Sequence, residues 1–347
     1  MQERPGARWR PSRAISIDNG TGFTAWTLDP WAYTHRVELD YSRPWKPTGN
    51  AFIEAFKSLV RRERLSQHYF QTRDDVMNTS DEWLETDGLG GFASGTVSGV
   101  RTRRYHAVLL AATTPPTGRM VLVNGFEAWV ETPRGRFALS SQRYAPDVIH
   151  PDGATRIESF ESEPWPTWIF RLEDGTRIRH ELVVRKGSPL VALSWRLLGR
   201  RKGIRLEACP LLSGRDAHAL HHENAAFRLD SDTRDGVIAW RPYPSVPGVL
   251  LGTNAEYRHS PRWYRGFLYS EERDRGLDFI EDLAAPGILA WDLSAGEAVC
   301  LMAAENDETR TQLTGTPKAL IAKLRAAERR RRRFPSPLDR AADAYIV

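Results

Sequence analysis

The chain has 347 residues, of which 41% are hydrophobic, which is enough to bury a full core and a second, smaller one. No apolar run approaches the ~18 residues that a membrane helix needs, and the first residues lack the hydrophobic segment of a secretory signal. The two cysteines, Cys209 and Cys300, each lie in a predicted strand. We interpret them as buried thiols in a reducing cytoplasm, although the sequence also permits a disulfide between them.

The formal net charge of +5 is concentrated at the two ends of the chain. Residues 318–347 hold nine Lys and Arg against three Asp and Glu (+6), and residues 1–65 hold eleven against seven (+4), which leaves −5 for the middle. The sequence therefore gives the folded body no basic face, and we expect neither a nucleic-acid partner nor a membrane partner. The basic run at 329–333 is most simply a solvated helix face.

Residues 1–79 are predicted to form an irregular lead segment, because Pro, Asn and Gly are scattered through it and most of its apolar residues lack a period. One helix is predicted at about residues 50–65, where apolar residues such as Phe52 and Phe56 recur at helical spacing opposite charged ones. A helix of this kind can dock on a neighbouring domain through its apolar side.

The stretch Glu82–Leu110, EWLETDGLGGFASGTVSGVRTRRYHAVLL, joins a run of glycines to a cationic cluster and then to a buried strand. Glycines in such numbers mark backbone that needs positive φ or a close approach by another group. We expect Arg103, Arg104, Tyr105 and His106 to form a polar site at the mouth of the strand that follows them. The alternative interpretation is a glycine-rich hairpin with a solvated basic edge.

A formal dinucleotide motif occurs in the same stretch. Gly88, Gly90 and Ala93 match G-x-G-x-x-A, which binds a dinucleotide only where a buried strand precedes it and a helix N-terminus follows. The polar sequence EWLETD precedes it here, and Ser94–Ser98 favour a strand over a helix. The acidic residue required roughly 20 positions later is missing from AVLLAATTPP. No nucleotide or other cofactor is therefore predicted.

An all-β domain is predicted over residues 80–316, where apolar residues follow a period of two between glycine or proline turns. In one of these runs Ile178 and Leu182 share one face, while Arg177 and Arg179 share the other. About a dozen such runs exceed what an immunoglobulin-like sandwich needs. The expected architecture is a large two-sheet antiparallel β-sandwich.

A second polar group follows the predicted strand that ends in PLL. It consists of Arg215, Asp216 and His218, with His222 close behind. Asp216, His218 and His222 are of the types that can ligate a metal with mixed oxygen and nitrogen donors. The segment offers no second well-spaced acidic or thiol ligand, so we favour a hydrogen-bonded Arg-Asp-His loop and predict no metal site.

The segment RWYRGFLYSEERDRGLDFIEDL alternates aromatic with charged residues. Sugar recognition uses flat apolar faces against the C–H side of a ring and planar charged groups for its hydroxyls, so the segment is compatible with an α-glucan surface. Trp and Tyr are also ordinary core residues of a sandwich. Glycoside hydrolysis needs two carboxyl groups, and although Glu271, Glu272, Glu281 and Asp282 are candidates, nothing in the sequence selects a pair. We therefore assign no catalytic residue.

The C-terminal part is predicted to be helical. Lys318–Phe334 has apolar residues on one side and arginines near its end, and we interpret residues 317–334 as a basic linker helix. Ser336 is a suitable N-cap and Pro337 a suitable first residue for another helix. We expect residues 335–347 to be the truncated start of a further helical domain, because their apolar face has no partner in the sequence.

These segments resemble the N-terminal domain of the bacterial and archaeal type of glycogen debranching enzyme, the amylo-alpha-1,6-glucosidase family. The matching pieces are EWLETDGLGGFASGTVSG, TRRYHAVLL, PLLSGRDAH, RWYRGFLYSEERDRGLDFIEDLAAPG and ADAYIV, within roughly Ser80–Val347. One departure is Ala107, where a glycine is expected. The resemblance implies a supersandwich of the glucoamylase and mutarotase type. It also implies that the catalytic acids belong to a C-terminal barrel of paired helices, which is expected to follow ADAYIV.

The resemblance implies a cytoplasmic, non-catalytic module that packs on the helical barrel, supplied in cis or in trans, and helps to bind branched α-glucan such as glycogen or limit dextrin. One alternative is a self-sufficient mutarotase-like enzyme that uses a His and a carboxylate on a free sugar, for which both would have to meet in a pocket. Another is a purely structural interdomain scaffold. The expected glucan-binding residues are Arg103, Arg104, Tyr105, His106, Arg215, Asp216 and His218.

Overall fold

The computed structural model describes residues 14–17, 38–41, 82–115 and 117–344. The chain divides into two units, Met1–Arg61 and Arg62–Val347. In the first unit, strands β1 (Ala14–Ile17) and β2 (Glu38–Tyr41) pair in parallel. The helix that the sequence predicts at about residues 50–65 lies outside the described residues.

The second unit is built from two antiparallel sheets, of ten and eight strands. The strands are β3 (Glu82–Thr86), β4 (Phe92–Thr96), β5 (Ala107–Thr114), β6 (Thr117–Thr132), β7 (Gly135–Ala138), β8 (Ser141–Tyr144), β9 (Val148–Asp152), β10 (Ile157–Glu161), β11 (Thr167–Arg171), β12 (Arg177–Val184), β13 (Leu190–Leu198), β14 (Arg205–Asp216), β15 (Ser231–Arg234), β16 (Val237–Trp240), β17 (Val249–Thr253), β18 (Glu256–Leu268), β19 (Ile280–Asp292) and β20 (Ala298–Ala304). This architecture confirms the predicted all-β fold.

The chain crosses between the two sheets five times from β3 to β20. The ten-stranded sheet runs β3-β4-β5-β6-β14-β19-β18-β8-β9, with β7 paired to β6. The eight-stranded sheet runs β10-β11-β12-β13-β20-β17-β16-β15. Because β14 lies between β6 and β19 in the middle of the ten-stranded sheet, segments that are far apart in sequence become neighbours there.

The period-two pattern of residues 177–184 produces the predicted strand β12. Ile178 and Leu182 point into the core between the sheets, whereas Val183 belongs to a second apolar cluster on the other face. His180 pairs with Trp195 of β13 in an antiparallel register. Alternation of this kind lets one strand serve two apolar layers, as expected when both faces of a sheet are covered.

The main core fills the space between the two sheets. The ten-stranded sheet contributes side chains such as Trp83 and Leu122, and the eight-stranded sheet contributes Trp168, Trp195 and Met302. Full burial of each large apolar side chain contributes roughly 1.5–3 kcal/mol. Cys209 and Cys300 lie in β14 and β20 and are free and buried, which confirms the prediction of buried thiols.

In the part of the chain that the structure describes, the α-helices are α1 (Ser270–Asp274), α2 (Asp307–Gln312), α3 (Pro317–Arg331) and α4 (Pro337–Asp343). Helix α3 lies where the sequence predicts a helix, and its Ile321 and Leu324 pack on the outer face of the eight-stranded sheet. The backbone N–H of Asp339 donates to Ser336 Oγ at 3.2 Å, so Ser336 acts as the predicted N-cap.

The glycine-rich turn connects strand β3 to strand β4, and not a strand to a helix. Asp87 Oδ1 accepts from the backbone N–H groups of Leu89 and Gly91 at 2.7 and 2.9 Å, which closes the turn between β3 and β4. Gly88 and Gly90 adopt φ of +74° and +95°, a region that favours glycine. The strand predicted after the motif is β4, so the helix N-terminus that a dinucleotide would require does not follow it.

Candidate functional site

Three connections of the ten-stranded sheet come together at one polar cluster. They are residues 97–106 between β4 and β5, residues 217–223 after β14, and residues 269–279 between β18 and β19. Both segments that the sequence analysis selected lie in this cluster. Their contact is the first indication that the predicted residues form one site.

Direct hydrogen bonds join the two predicted groups. Arg215 Nη2 donates to the carbonyl oxygen of Arg104 at 2.6 Å, and Arg104 Nη1 donates to the carbonyl oxygen of His218 at 2.7 Å. The hydroxyl of Tyr105 lies 2.9 Å from His218 Nδ1. The structure therefore brings Arg104, Tyr105, Arg215 and His218 together across more than a hundred residues of sequence.

Glu281 lies at the centre of the cluster and is completely buried. Its carboxylate accepts hydrogen bonds from Arg215 Nε, from the hydroxyl of Tyr269, from the backbone N–H of His221 at 3.0 Å and from Asn124 Nδ2 at 3.3 Å. A buried carboxylate needs such partners because desolvation of an unpaired charge costs several kcal/mol. Burial alone would lower the pKa of Arg215, but the charge of Glu281 raises it, so Arg215 keeps its proton.

The alternation of β19 places Glu281 on the face of the sheet that points away from the main core. Leu283 and Ala285 follow at period two and belong to a separate apolar cluster on that face, whereas Ala284 belongs to the core between the sheets. The charged cluster is therefore built on a central strand of the sheet rather than on a free loop. Rigid support of this kind fixes the geometry of the side chains around it.

A second buried carboxylate holds the arginine segment from the other side. Glu272 in α1 is 1% exposed, and its Oε1 accepts from the backbone N–H of Arg104 at 3.1 Å while its Oε2 lies 3.3 Å from Arg104 Nη2. Arg104 Nη2 also donates to the carbonyl oxygen of Asp278 at 3.2 Å. Arg104 is therefore committed to protein partners, and it positions Tyr105 and His218.

Arg103 and His106 converge on Glu82 of β3. Arg103 Nε donates to Glu82 Oε1 at 2.6 Å, and His106 Nε2 lies 3.4 Å from the same oxygen. The backbone N–H of Thr102 donates to His106 Nδ1, so the proton of the neutral ring is on Nε2, towards Glu82. Burial would raise the pKa of Glu82, but the hydrogen bond from His106 and the charge of Arg103 hold this pKa at about 2.

This pair is the closest counterpart of the His and carboxylate that a mutarotase-like enzyme would need. His106 is only 3% exposed, and its two nitrogens face Thr102 and Glu82. His106 is thus buried with both nitrogens facing protein groups, and Glu82 is half-buried. His106 therefore has a positioning role beneath the surface of the site.

The accessible part of the cluster consists of Tyr105, Asp216 and His218. The rings of Tyr105 and His218 meet edge to face with centroids 5.7 Å apart. Asp216 Oδ1 accepts from the backbone N–H of His218 at 2.8 Å, which fixes the loop as the predicted hydrogen-bonded turn. Burial against the apolar cluster around Val121 raises the pKa of the Tyr105 hydroxyl, so this hydroxyl stays protonated.

The residues considered as metal ligands are engaged elsewhere. His218 Nδ1 faces Tyr105, and His222 Nδ1 lies 3.7 Å from Asp282 Oδ2. Among residues 82–115 and 117–344, no group of three or more His, Cys, Asp and Glu side chains is arranged to hold a metal ion. In the same part of the chain no helix is long and apolar enough to cross a membrane.

Sequence reasoning did not select Tyr269 or Asn124 as members of the cluster, and it did not identify the central role of Glu281. Glu281 appeared only as one of several acids. A usable signal was present, because Glu281 precedes Leu283 and Ala285 at period two and therefore occupies a buried position of its strand. An acid at such a position indicates a buried cationic partner.

The family model described as "Glycogen debranching enzyme N terminal" matches residues 81–300. Two curated proteins share shorter stretches. The insertion element IS407 uncharacterized 31.7 kDa protein of Burkholderia multivorans is 43% identical over 60 residues, covering 17% of this chain and 22% of the relative. The insertion element IS476 uncharacterized 39.2 kDa protein of Xanthomonas euvesicatoria is 34% identical over 71 residues, covering 20% of each. The chain thus spans about a fifth of these relatives.

Two solved structures are similar at 9% sequence identity. A bacterial glucoamylase complexed with acarbose matches with a TM-score of 0.32, covering 71% of this chain and 34% of that chain. A putative kojibiose phosphorylase from human microbiome matches with a TM-score of 0.34, covering 80% of this chain and 37% of that chain. The chain spans about a third of the length of each structure.

Proposed function

The chain belongs to the family of glycogen debranching enzyme N-terminal domains, and we propose that its sandwich is a non-catalytic module that binds branched α-glucan beside a catalytic barrel. The barrel is supplied in cis or in trans and carries the amylo-alpha-1,6-glucosidase chemistry. The module packs on it in the cytoplasm and forms one wall of its cleft. The accessible cluster of Tyr105, Asp216 and His218 provides the contact with glucan.

One observation carries this proposal: the two separate polar segments meet on a buried base of ion pairs and hydrogen bonds. Arg215 links Glu281 to the carbonyl oxygen of Arg104, and Arg104 in turn holds the loop of His218. Glu281, Arg215 and Arg104 thus hold in place the small aromatic surface formed by Tyr105 and His218. Such pre-organisation is typical of a binding surface, because the entropy cost of ordering its side chains is met by folding rather than at binding.

The chemistry of the exposed groups suits a sugar. The ring of Tyr105 offers an apolar edge to the C–H side of a glucose unit, and the imidazole of His218 and the carboxylate of Asp216 offer hydrogen-bonding atoms for hydroxyls. Arg103 with Glu271, 38% exposed, extends the polar rim. The buried carboxylates of Glu82, Glu272 and Glu281 already have cationic or hydrogen-bonding partners, so we assign no catalytic role to them.

The direct test is calorimetric titration of the purified chain with maltoheptaose and with a branched limit dextrin. We expect binding, and Tyr105→Phe should weaken it about three- to tenfold, because one hydrogen bond is worth roughly 0.5–1.5 kcal/mol. Tyr257→Phe is the matched control, since the Tyr257 hydroxyl also faces a histidine Nδ1, that of His259, at 3.2 Å. Equal effects of the two substitutions would contradict the assignment of the site.

The same material separates the alternative functions. Absence of glucan binding by the intact chain would leave only the role of a structural scaffold. Turnover of limit dextrin by the chain alone would contradict the non-catalytic proposal. Acceleration of glucose mutarotation, followed by polarimetry, would favour the self-sufficient enzyme, and its loss in His218→Ala would locate the chemistry.

A further inference from the structure

A second polar feature borders the surface cluster, to which it is joined by Asn124. It is a cavity of ≈ 130 Å³ that borders the main core. Its aromatic walls include Trp83, Trp168 and Trp195, and its polar lining includes Arg101, Asn124 and Gln142. Cavities in protein cores are usually apolar or filled by water with matched partners, so unmatched polar groups here call for an explanation.

Burial of Arg101 costs more desolvation free energy than burial of the two amides, because Arg101 carries a charge. It is 7% exposed, its Nε is buried without a hydrogen-bond partner, and it forms no ion pair in the described part of the chain. Its guanidinium lies over the ring of Phe267, whose centroid is 4.9 Å from Cζ. A cation–π contact of this kind offsets only part of the desolvation of a buried charge. Among the described residues of the lining, Arg101 is therefore a cation without an acidic partner.

Two amide side chains in the lining have oxygens without donors. Asn124 Nδ2 donates to Glu281 at 3.3 Å, and Gln142 Nε2 donates to the carbonyl oxygen of Phe126 at 3.1 Å. Because these partners only accept, they fix the orientation of both amides. Asn124 Oδ1 and Gln142 Oε1 are consequently left as buried acceptors without a hydrogen-bond donor in the described part of the chain.

The other described residues of the lining include no Asp or Glu. His180 is stacked between Trp168 and Trp195, with centroid distances of 5.2 and 4.6 Å. Burial lowers the pKa of His180 to about 4, so the ring is neutral at physiological pH, and its Nδ1 donates to the carbonyl oxygen of Ser194. Gly125 leaves the space that the guanidinium uses, since a Cβ there would lie 2.5 Å from Arg101 Nη1.

We propose that this cavity is a binding site for a small hydroxylated carboxylate. The carboxylate pairs with Arg101, and hydroxyl groups donate to Asn124 Oδ1 and Gln142 Oε1. A cavity of about 150 Å³ in another protein holds benzene, so the size fits about six to eight non-hydrogen atoms. An uncharged polyol would leave Arg101 without an anion, and a plain carboxylate would leave both amide oxygens without a donor. The site does not depend on the glucan-binding surface proposed above.

Three small probes of matched size test the chemistry. Glycerate carries the carboxylate and the hydroxyls, glycerol lacks the carboxylate, and propionate lacks the hydroxyls. We expect the intact chain, titrated by calorimetry, to bind glycerate at least about tenfold more tightly than either of the other two, because charge-assisted and neutral hydrogen bonds are both required. Equal affinity for the three probes, or no binding of glycerate, would overturn the proposal and leave a cavity occupied by water alone.

Two substitutions and a control assign the binding to this cavity. Arg101→Met should abolish glycerate binding without lowering the stability of the ligand-free protein, because it removes an unpaired buried charge. Gln142→Met, which keeps Arg101, should weaken glycerate binding several-fold, and it provides a second test if Arg101→Met does not fold. Arg136→Met is the control, since the guanidinium of Arg136 covers the ring of Trp129 at 4.7 Å on the surface. Wild-type affinity in both cavity variants, or loss of affinity in the control, would overturn the proposal.

Discussion

Replacement of Glu281 by Gln tests the buried base of the surface cluster. The substitution keeps the size of the side chain and removes the charge that faces Arg215, whose side chain is only 4% exposed. It also places an amide nitrogen where donors already point, because both oxygens of Glu281 accept hydrogen bonds. An uncompensated buried charge typically costs about 3–5 kcal/mol, and we expect Glu281→Gln to lower the free energy of unfolding by that amount.

Urea unfolding followed by tryptophan fluorescence measures the loss. Glu158→Gln is the control, because Glu158 pairs with Arg177 at the surface of the other sheet and exposed pairs contribute roughly 0–1 kcal/mol. The double substitution Glu281→Gln with Arg215→Met should be less damaging than the sum of the single ones by about 2 kcal/mol, since neither charge then remains buried alone. A loss below about 1 kcal/mol in Glu281→Gln, or strict additivity, would refute the reasoning.

Three further predictions concern stability, each measured by urea unfolding of the intact chain. Arg332→Met should lower the free energy of unfolding by about 3 kcal/mol, because Arg332 Nη2 and Nε neutralise the buried carboxylates of Glu85 and Glu328 at 2.5 and 3.2 Å. An unchanged urea midpoint would contradict this. The pKa of His180 is about 4 in the folded state, below its ordinary 6.5, so the unfolded chain binds a proton at a higher pH than the folded chain does. The free energy of unfolding of the wild type should therefore fall by up to about 3 kcal/mol as the pH is lowered from 6.5 to 4. His180→Phe keeps the stacking and should lack this part of the pH dependence. Gly153→Ala should destabilise by about 1–3 kcal/mol, because its Cβ would lie 2.5 Å from the carbonyl oxygen of Ser140, whereas Gly252→Ala meets only ordinary contacts and should be near neutral.

Much of the fold could be predicted because its determinants are local. Alternation at Ile178 and Leu182 defines β12, and the segment Lys318–Phe334 carries the helical period of α3. The same logic located both polar segments of the candidate site, because charged residues directly beside buried strands are visible in the sequence. What these segments contact depends on strand order, and that is a property of the whole sheet.

The irregularities of the sheet explain why the base of the site could not be predicted. The pairing of β14 with β6 shifts register between Leu211 and Leu212 and again between Leu212 and Arg215. Each shift changes which face the following residues present, so a strict period of two does not give the direction of Arg215. The partner Glu281 lies 66 residues further along the chain. Arg101 belongs to the cationic cluster of the sequence, but only the structure reveals that its described neighbours include no acidic partner.

The stack of Trp168, His180 and Trp195 makes intrinsic tryptophan fluorescence a probe of the protein interior. Tryptophan emission responds to the charge and polarity of the groups in contact with the indole ring. Trp168 and Trp195 line the cavity and also stack on the two faces of the His180 imidazole. Proton uptake by His180 and entry of a ligand both change the surroundings of the same pair of fluorophores. The natural tryptophans can therefore record events in the interior of the sandwich in real time, without any label attached to the surface.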